Sequence, residues 1–145
     1  MKKIHVSVSN KSLSIEKAFE FIQCDSHGAV SSFVGKVRDF NLGKKVIGVS
    51  YDVFVPFAIH IFQKICEEVH NKWGQDLKIF IEHFCGRLDV GGMSVLIVVS
   101  SPHRDEAFQA CRYIIETIKH RAPIWKQEHY TDGNSEWVKG HSLCL

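Results

Sequence analysis

The chain has 145 residues, 45% hydrophobic and 23% charged, with 18 Lys and Arg against 16 Asp and Glu. That length suits one domain with a real core, and a net charge of +2 is too small for a whole-surface field that draws in nucleic acid or membrane. There is no run of about 18 apolar residues to span a bilayer, and Met1 to Val8 lacks the apolar centre of a signal peptide.

Alternation of apolar and polar side chains over residues 3–8 predicts a first strand. A short helix over about 14–23 follows, with Ser14 as N-cap and Ile15, Ala18, Phe19 and Ile22 on one face. Gly28 to Val37, rich in β-branched and small residues, reads as a strand. After a turn at Asn41-Leu42-Gly43, Val46 to Val55 reads as another, ended by Pro56. Phe57, Ala58, Ile61, Phe62, Ile65, Cys66, Val69 and Trp73 then recur at helical spacing until Gly74 stops the helix. The Phe-rich stretch Phe54–Phe62 reads as core rather than interface.

Leu77 to Phe84 alternates as a strand, Gly86 and Gly91-Gly92 frame a turn, and Met93 to Ser100 is a nearly continuous apolar run of the buried-strand kind. The last helix, about Pro102 to His120, puts Ala107, Phe108, Cys111, Ile114, Ile115 and Ile118 in one stripe, with Pro102 in its first turn. Short strands at Ile124–His129 and Glu136–Val138 close the chain around a turn at Asp132-Gly133-Asn134. This order predicts a single α+β domain with helices packed on a sheet.

Several chemistries lack their residues. The five cysteines, Cys24, Cys66, Cys85, Cys111 and Cys144, contain no C-x-x-C pair and are odd in number, against both a disulfide framework and a zinc site. Cys66 and Cys111 fall on apolar helix faces as small hydrophobes, and a reducing, cytoplasmic home fits all five. Nine scattered histidines show no metal-ligand spacing, and neither a phosphate-binding glycine loop nor a G-x-S-x-G elbow is present.

What stands out is local positive charge. Lys119-His120-Arg121-Ala122-Pro123-Ile124-Trp125-Lys126 places four basic side chains around a proline with no acid among them. A helix C-terminus welcomes a cation, but this exceeds capping. Taken alone, the segment is equally a solvated basic turn. A second basic segment runs from Gly35 to Gly43 and includes Lys36 and Arg38; a third, Ser101-Pro102-His103-Arg104, opens the helix that Lys119 closes. Cations at a helix N-terminus oppose the macrodipole, so His103 and Arg104 make better sense if an anion binds beside them. Arginine grips phosphate with a planar fork, and a lysine crowded by other cations has a lowered pKa. The three segments together predict one pocket for an anionic small molecule.

Phe33-Val34-Gly35-Lys36-Val37-Arg38-Asp39-Phe40-Asn41-Leu42-Gly43, Ser101 to Phe108, and Ile118 to Lys126 resemble, in order and separation, three signature segments of the large, catalytic subunit of molybdopterin synthase. The similarity extends from about Gly28 to Lys139, and Lys-x-Arg-Ala-Pro-x-Trp-Lys is its most specific part. The resemblance implies a hammerhead-like α+β fold with a mixed, largely antiparallel sheet. It implies conversion of a cyclic pyranopterin monophosphate to molybdopterin, with sulfur delivered as a thiocarboxylate on the C-terminal Gly-Gly of a small ubiquitin-like partner. It implies a homodimer within a heterotetramer, and no metal or nucleotide cofactor. By position, Lys119 and Lys126 match catalytic lysines, and Arg38, His103 and Arg104 match the substrate pocket. Phe33 and Arg121 lie in the same motifs as further substrate-binding candidates. Tyr51 to Phe57 departs from the family pattern and receives no role. Two rival readings remain: a small basic nucleic-acid-binding domain using Lys36, Arg38, Lys119, Arg121 and Lys126 with Phe33 or Trp125 stacking on bases, and a non-catalytic interaction subunit on the same scaffold.

Overall fold

The structure, a computed structural model, describes residues 2–137. In chain order the elements are β1 (Ile4–Ser9), α1 (Ile15–Phe21), β2 (Ala29–Lys36), β3 (Phe40–Asn41), β4 (Lys44–Val53) and α2 (Val55–Trp73). They continue with β5 (Lys78–Phe84), β6 (Gly86–Asp89), β7 (Met93–Ser101), α3 (Arg104–Arg121), β8 (Ile124–Tyr130) and β9 (Ser135–Trp137). Val138, expected in the last strand, lies outside the described residues, as do Lys139 and Cys144.

One sheet runs β1-β5-β7-β2, with β1 parallel to β5 and the other neighbours antiparallel. Its two faces are both covered. Ile79 and Ile81 of β5 and Val95, Ile97 and Val99 of β7 pack under α2 and α3, against Phe62, Ile65, Val69, Ile114 and Ile118. Phe80, Leu96 and Val98 point the other way, onto Leu13, Ala18 and Ile22 around α1. Each such buried Ile, Leu or Phe contributes roughly 1.5–3 kcal/mol, which is why β7 is apolar on both faces. The same covering buries the strand expected over residues 77–84 on both faces, its polar alternates included. All of β5 is buried, including Lys78, Glu82 and His83. Lys78 reaches the carbonyl of Gln23 at 3.0 Å, and Glu82 accepts from Ser7 Oγ at 2.6 Å.

The second sheet runs β3-β4-β8-β9, with β6 also on β4, and the β4 partners are antiparallel. The largely antiparallel α+β architecture expected from the sequence is what forms. Two of its strands, β3 and β6, lie in stretches read as turns. Glycines framed both, and the flanking glycines Gly43, Gly86 and Gly91 adopt positive φ, but four residues between two of them suffice for a strand when β4 offers an open edge.

Three helical details differ from expectation. Pro56 does not end a strand; it sits in the first turn of α2, where its missing N–H costs nothing. Pro102 precedes α3, whose N-cap is His103. Phe108, placed in the apolar stripe, is 61% exposed. The Phe-rich stretch splits: Phe62 is core, while Phe54 and Phe57 are exposed. Cys66 and Cys111 are buried as expected, and burial pushes the Cys66 thiol up to about 12. Cys24 is held below the ordinary thiol range by hydrogen bonds from Ser26. Among the described residues no helix is long and apolar enough to cross a membrane.

Candidate functional site

The site is built where the last turns of α3 meet both sheets. Ala122 precedes Pro123, a position biased away from helical geometry, and its φ of −77° and ψ of 139° end α3 there. The chain turns straight into β8, in which alternate side chains face inward: Ile124, Glu128 and Tyr130 are buried, while Trp125 is 44% exposed on the outer face. Lys126 shares the inner face and pairs across the ladder with Tyr51 of β4. From the other side, β2 packs against β7 with no spare room. A Cβ on Gly35 would come within 2.6 Å of Val95 Cγ1 and 3.1 Å of Ser94 Oγ. The register shifts between Gly35 and Lys36, a bulge of the kind that re-aims the side chains beyond it.

These elements enclose a cavity of about 480 Å³ whose lining includes Phe33, Gly35, Lys36, Arg38, Tyr51, His83, Ser94, Ile118, Lys119 and Lys126. Four cations from two distant segments, Lys36 and Arg38 with Lys119 and Lys126, therefore share one recess. Their electrostatics are visible on Lys126, whose side chain is 19% exposed. Burial lowers its pKa from the ordinary lysine value, the Glu128 carboxylate opposes that, and the charges of Lys119 and Arg38 lower it further. Glu128 lies 3.9 Å from the Lys126 amine and is itself buried, accepting from Asn41 Nδ2 at 2.9 Å and from the Tyr130 hydroxyl at 3.5 Å. A cation kept from water beside one carboxylate and two like charges is poised to bind an anion, because charge interactions strengthen where water is excluded.

The cavity has a floor that the sequence reading missed. Burial raises the pKa of Tyr51, with the Ser94 hydroxyl opposing and the Glu128 charge adding to it. Its ring meets His83 edge-on at 5.2 Å. Burial pushes His83 down to about 4, so the imidazole is neutral at physiological pH. Glu128 was findable, since two residues beyond Lys126 on a strand is the same face. Nothing local to Tyr51, His83 or Ser94 announced that they would meet.

Not every expected residue joins this cavity. Phe33 does. Arg121 does not: its Nη1 donates to both Glu68 oxygens at 2.8 Å, tying α3 to α2, and Tyr113 OH donates to the same carboxylate at 2.5 Å. His103 and Arg104 are also elsewhere, lining a separate hollow of about 580 Å³ with Gly28, Ala29, Pro102, Asp105 and Phe108. Fifteen residues of helix separate Arg104 from Lys119, about 22 Å at 1.5 Å per residue. The expectation of one pocket from all three basic segments is thus corrected within a single chain. Two segments converge and the third stands at the far end of α3.

An α+β scaffold that gathers cations from distant segments around a recessed, partly desolvated cavity is of the class that can hold an anionic small molecule. The family model of the MoaE protein matches residues 8–121. The molybdopterin synthase catalytic subunit of Synechococcus elongatus is 47% identical over 139 residues, covering 96% of this chain and 84% of its own length. The crystal structure of molybdopterin synthase from Staphylococcus aureus superposes with a TM-score of 0.88 at 35% identity, over 97% of this chain and 99% of that one. A complex of subunits 1 and 2 of molybdopterin-converting factor from Helicobacter pylori contains a chain that matches with a TM-score of 0.78 at 25% identity, over 97% and 94%. The chain belongs to the MoaE protein family of molybdopterin synthase catalytic subunits. Its chemistry is the sulfur transfer of molybdenum cofactor biosynthesis.

Proposed function

We propose that the cavity binds a cyclic pyranopterin monophosphate and that the sulfur reaches it as a thiocarboxylate on the C-terminal Gly-Gly of a small ubiquitin-like partner. The observation that carries this reading is the convergence of Arg38, Lys119 and Lys126 on one recess. Substrate phosphate and thiocarboxylate are both anions, so a cationic recess in a chain of net charge +2 serves both. The Helicobacter pylori complex of two subunits supports a small partner.

In this reading Arg38 takes the phosphate with its planar fork, and Phe33 packs against the pterin. Once the partner's sulfur has bonded to the pterin, Lys119 assists attack at the partner's carbonyl or takes that carbonyl in a covalent link, so that the acyl C–S bond breaks and the sulfur stays on the pterin. Lys126 stabilises the negative charge that develops there, from a desolvated position where such stabilisation is strongest. Arg121, committed to Glu68, has a supporting role at the α2–α3 contact. His103 and Arg104 reach the substrate only if a second copy of the chain brings its own helix terminus over the cavity, which is what a homodimer within a heterotetramer supplies.

The nucleic-acid reading fits the geometry poorly. Base stacking along a strand needs aromatic and basic side chains on one open face, whereas Trp125 faces away from Lys126 and Phe33 sits with the cations in a recess of about 480 Å³. The deciding experiment supplies the purified chain with a thiocarboxylated partner and cyclic pyranopterin monophosphate and assays molybdopterin. Product is expected from the native chain and not from Lys119→Ala. A stable complex with the partner that makes no product would return the non-catalytic reading.

A further inference from the structure

We propose that His83 recognises the ligand of this cavity, its Nε2 accepting a hydrogen bond from an N–H or O–H donor on the molecule whose anionic end Arg38, Lys119 and Lys126 hold. The inference rests on the reading of the cavity as a pterin site and adds to it a donor-bearing face on the ligand, opposite its charge.

The tautomer follows from the partners. Nδ1 lies 2.8 Å from the Phe84 carbonyl oxygen, which only accepts, so Nδ1 carries the proton and the neutral ring leaves a lone pair on Nε2. His83 is 2% exposed, yet among the described residues the one side-chain nitrogen or oxygen sealed from solvent without a hydrogen-bond partner is Glu106 Oε2. Among the described residues Nε2 of His83 has no hydrogen-bond partner and is not one of the sealed atoms, so it keeps contact with solvent, and the cavity is the opening that His83 lines. A deeply set acceptor with fixed orientation, facing a cavity and spared by the protein's own donors, is costly unless something donates to it. Its pKa of about 4 makes it a weak base near neutral pH and suits recognition over proton abstraction. The Tyr51 ring packed edge-on at 5.2 Å fixes the plane of the imidazole.

Two substitutions separate recognition from structure. His83→Asn keeps a donor near the place of Nδ1 for the Phe84 carbonyl and removes the acceptor at Nε2. His83→Gln returns an amide oxygen near Nε2 and gives up the bond to Phe84. Binding is measured by calorimetry on the full chain, with cyclic pyranopterin monophosphate and, separately, inorganic phosphate, alongside kcat and KM in the assay with the thiocarboxylated partner. Recognition predicts that His83→Asn binds the pterin about tenfold more weakly, raises KM with kcat nearly kept, and binds inorganic phosphate as the native chain does. It also predicts that His83→Gln, though less stable, regains most of the pterin affinity. Native-like pterin binding by His83→Asn, or equal loss of pterin and phosphate binding in both variants, overturns the assignment. A native chain that binds phosphate but no pterin overturns the functional reading, and this inference with it.

Discussion

At its C-terminal end α3 delivers Lys119 into a recess shared with Arg38 and Lys126, while at its N-terminal end it sets His103 and Arg104, both exposed, around a second hollow. The charges look alike in sequence, but their settings are opposite. Lys119 stands at the negative end of the helix dipole, which favours a cation; His103 and Arg104 stand at the positive end, which does not. Lys126 is shielded from water beside a buried carboxylate, so its protonation is shaped by burial, Glu128, Lys119 and Arg38. Lys119 and Arg38 are themselves exposed, as His103 and Arg104 are; what sets the C-terminal end apart is that they gather around one shielded amine, Lys126, where charge interactions strengthen.

The largest expected effect breaks the C-terminal end. Lys119→Ala should lower molybdopterin formation by about 100-fold or more, the scale on which removal of a group acting at the reacting centre is felt. Arg104→Ala, at the other end, should raise KM about tenfold with kcat nearly kept, as the loss of one charged contact does. Mixing the two variants sharpens the contrast. If the two ends of α3 meet only between copies, a mixed dimer regains one intact cavity, and with substrate well below KM an equal mixture recovers about a quarter of native kcat/KM by random pairing, more than either variant alone. A mixture no more active than its components would place both ends in the same chain's site or assign His103 and Arg104 no part in it.

The next effect is on pH dependence. Glu128 raises the pKa of Lys126 against burial and two like charges, so Glu128→Gln lets that pKa fall further. In the role proposed for it, protonated Lys126 is the form that stabilises negative charge, so the rate is held below its folded pKa and lost as pH rises through it. The alkaline limb of the pH–rate profile should therefore move to lower pH in Glu128→Gln. An unmoved limb would show that another group sets it. The sign for stability is the reverse of the usual lysine pair. A depressed folded pKa means the unfolded chain binds more protons in the window between the folded and ordinary values, so charged Lys126 costs stability that is regained as pH rises through that window.

Much of this was legible in the chain because it is periodic. The 3.6-residue stripe of α2 and the apolar run of β7 state their burial directly, and Ser14 caps α1 as its position announced, accepting from the Lys17 amide at 3.1 Å. The cavity's cations were legible through their motifs. What was not legible depends on contacts between distant segments. His83 reads as one polar residue in a strand, and only the approach of Tyr51 and the end of α3 makes it part of a cavity. Arg121 sits two residues from Lys119, but helical geometry turns it about 200° away at 100° per residue, onto Glu68 of α2. The parting of Arg104 from Lys119 was legible too, since the helix expected over about Pro102 to His120 already puts fifteen residues, about 22 Å, between them, and grouping all three basic segments in one pocket overlooked it.

The smallest expected effect tests that last distinction between neighbours. Arg121 and Glu68 have side chains 38% and 34% exposed, so water and salt screen the pair and Arg121→Ala should cost about 0.5–1 kcal/mol, with kcat and KM nearly native. Burial pushes the Glu68 carboxyl up, but the Tyr113 hydroxyl and the Arg121 guanidinium outweigh it and hold the pKa below the usual carboxylate range. A lowered carboxylate pKa stabilises the folded chain above the unfolded value and loses that contribution as pH falls through the folded one. The gap in Tm between native chain and Arg121→Ala should accordingly be present at neutral pH and close on acidification below the carboxylate range. A loss of sulfur transfer comparable to that of Lys119→Ala, at unchanged Tm, would instead put Arg121 back among the residues that touch substrate.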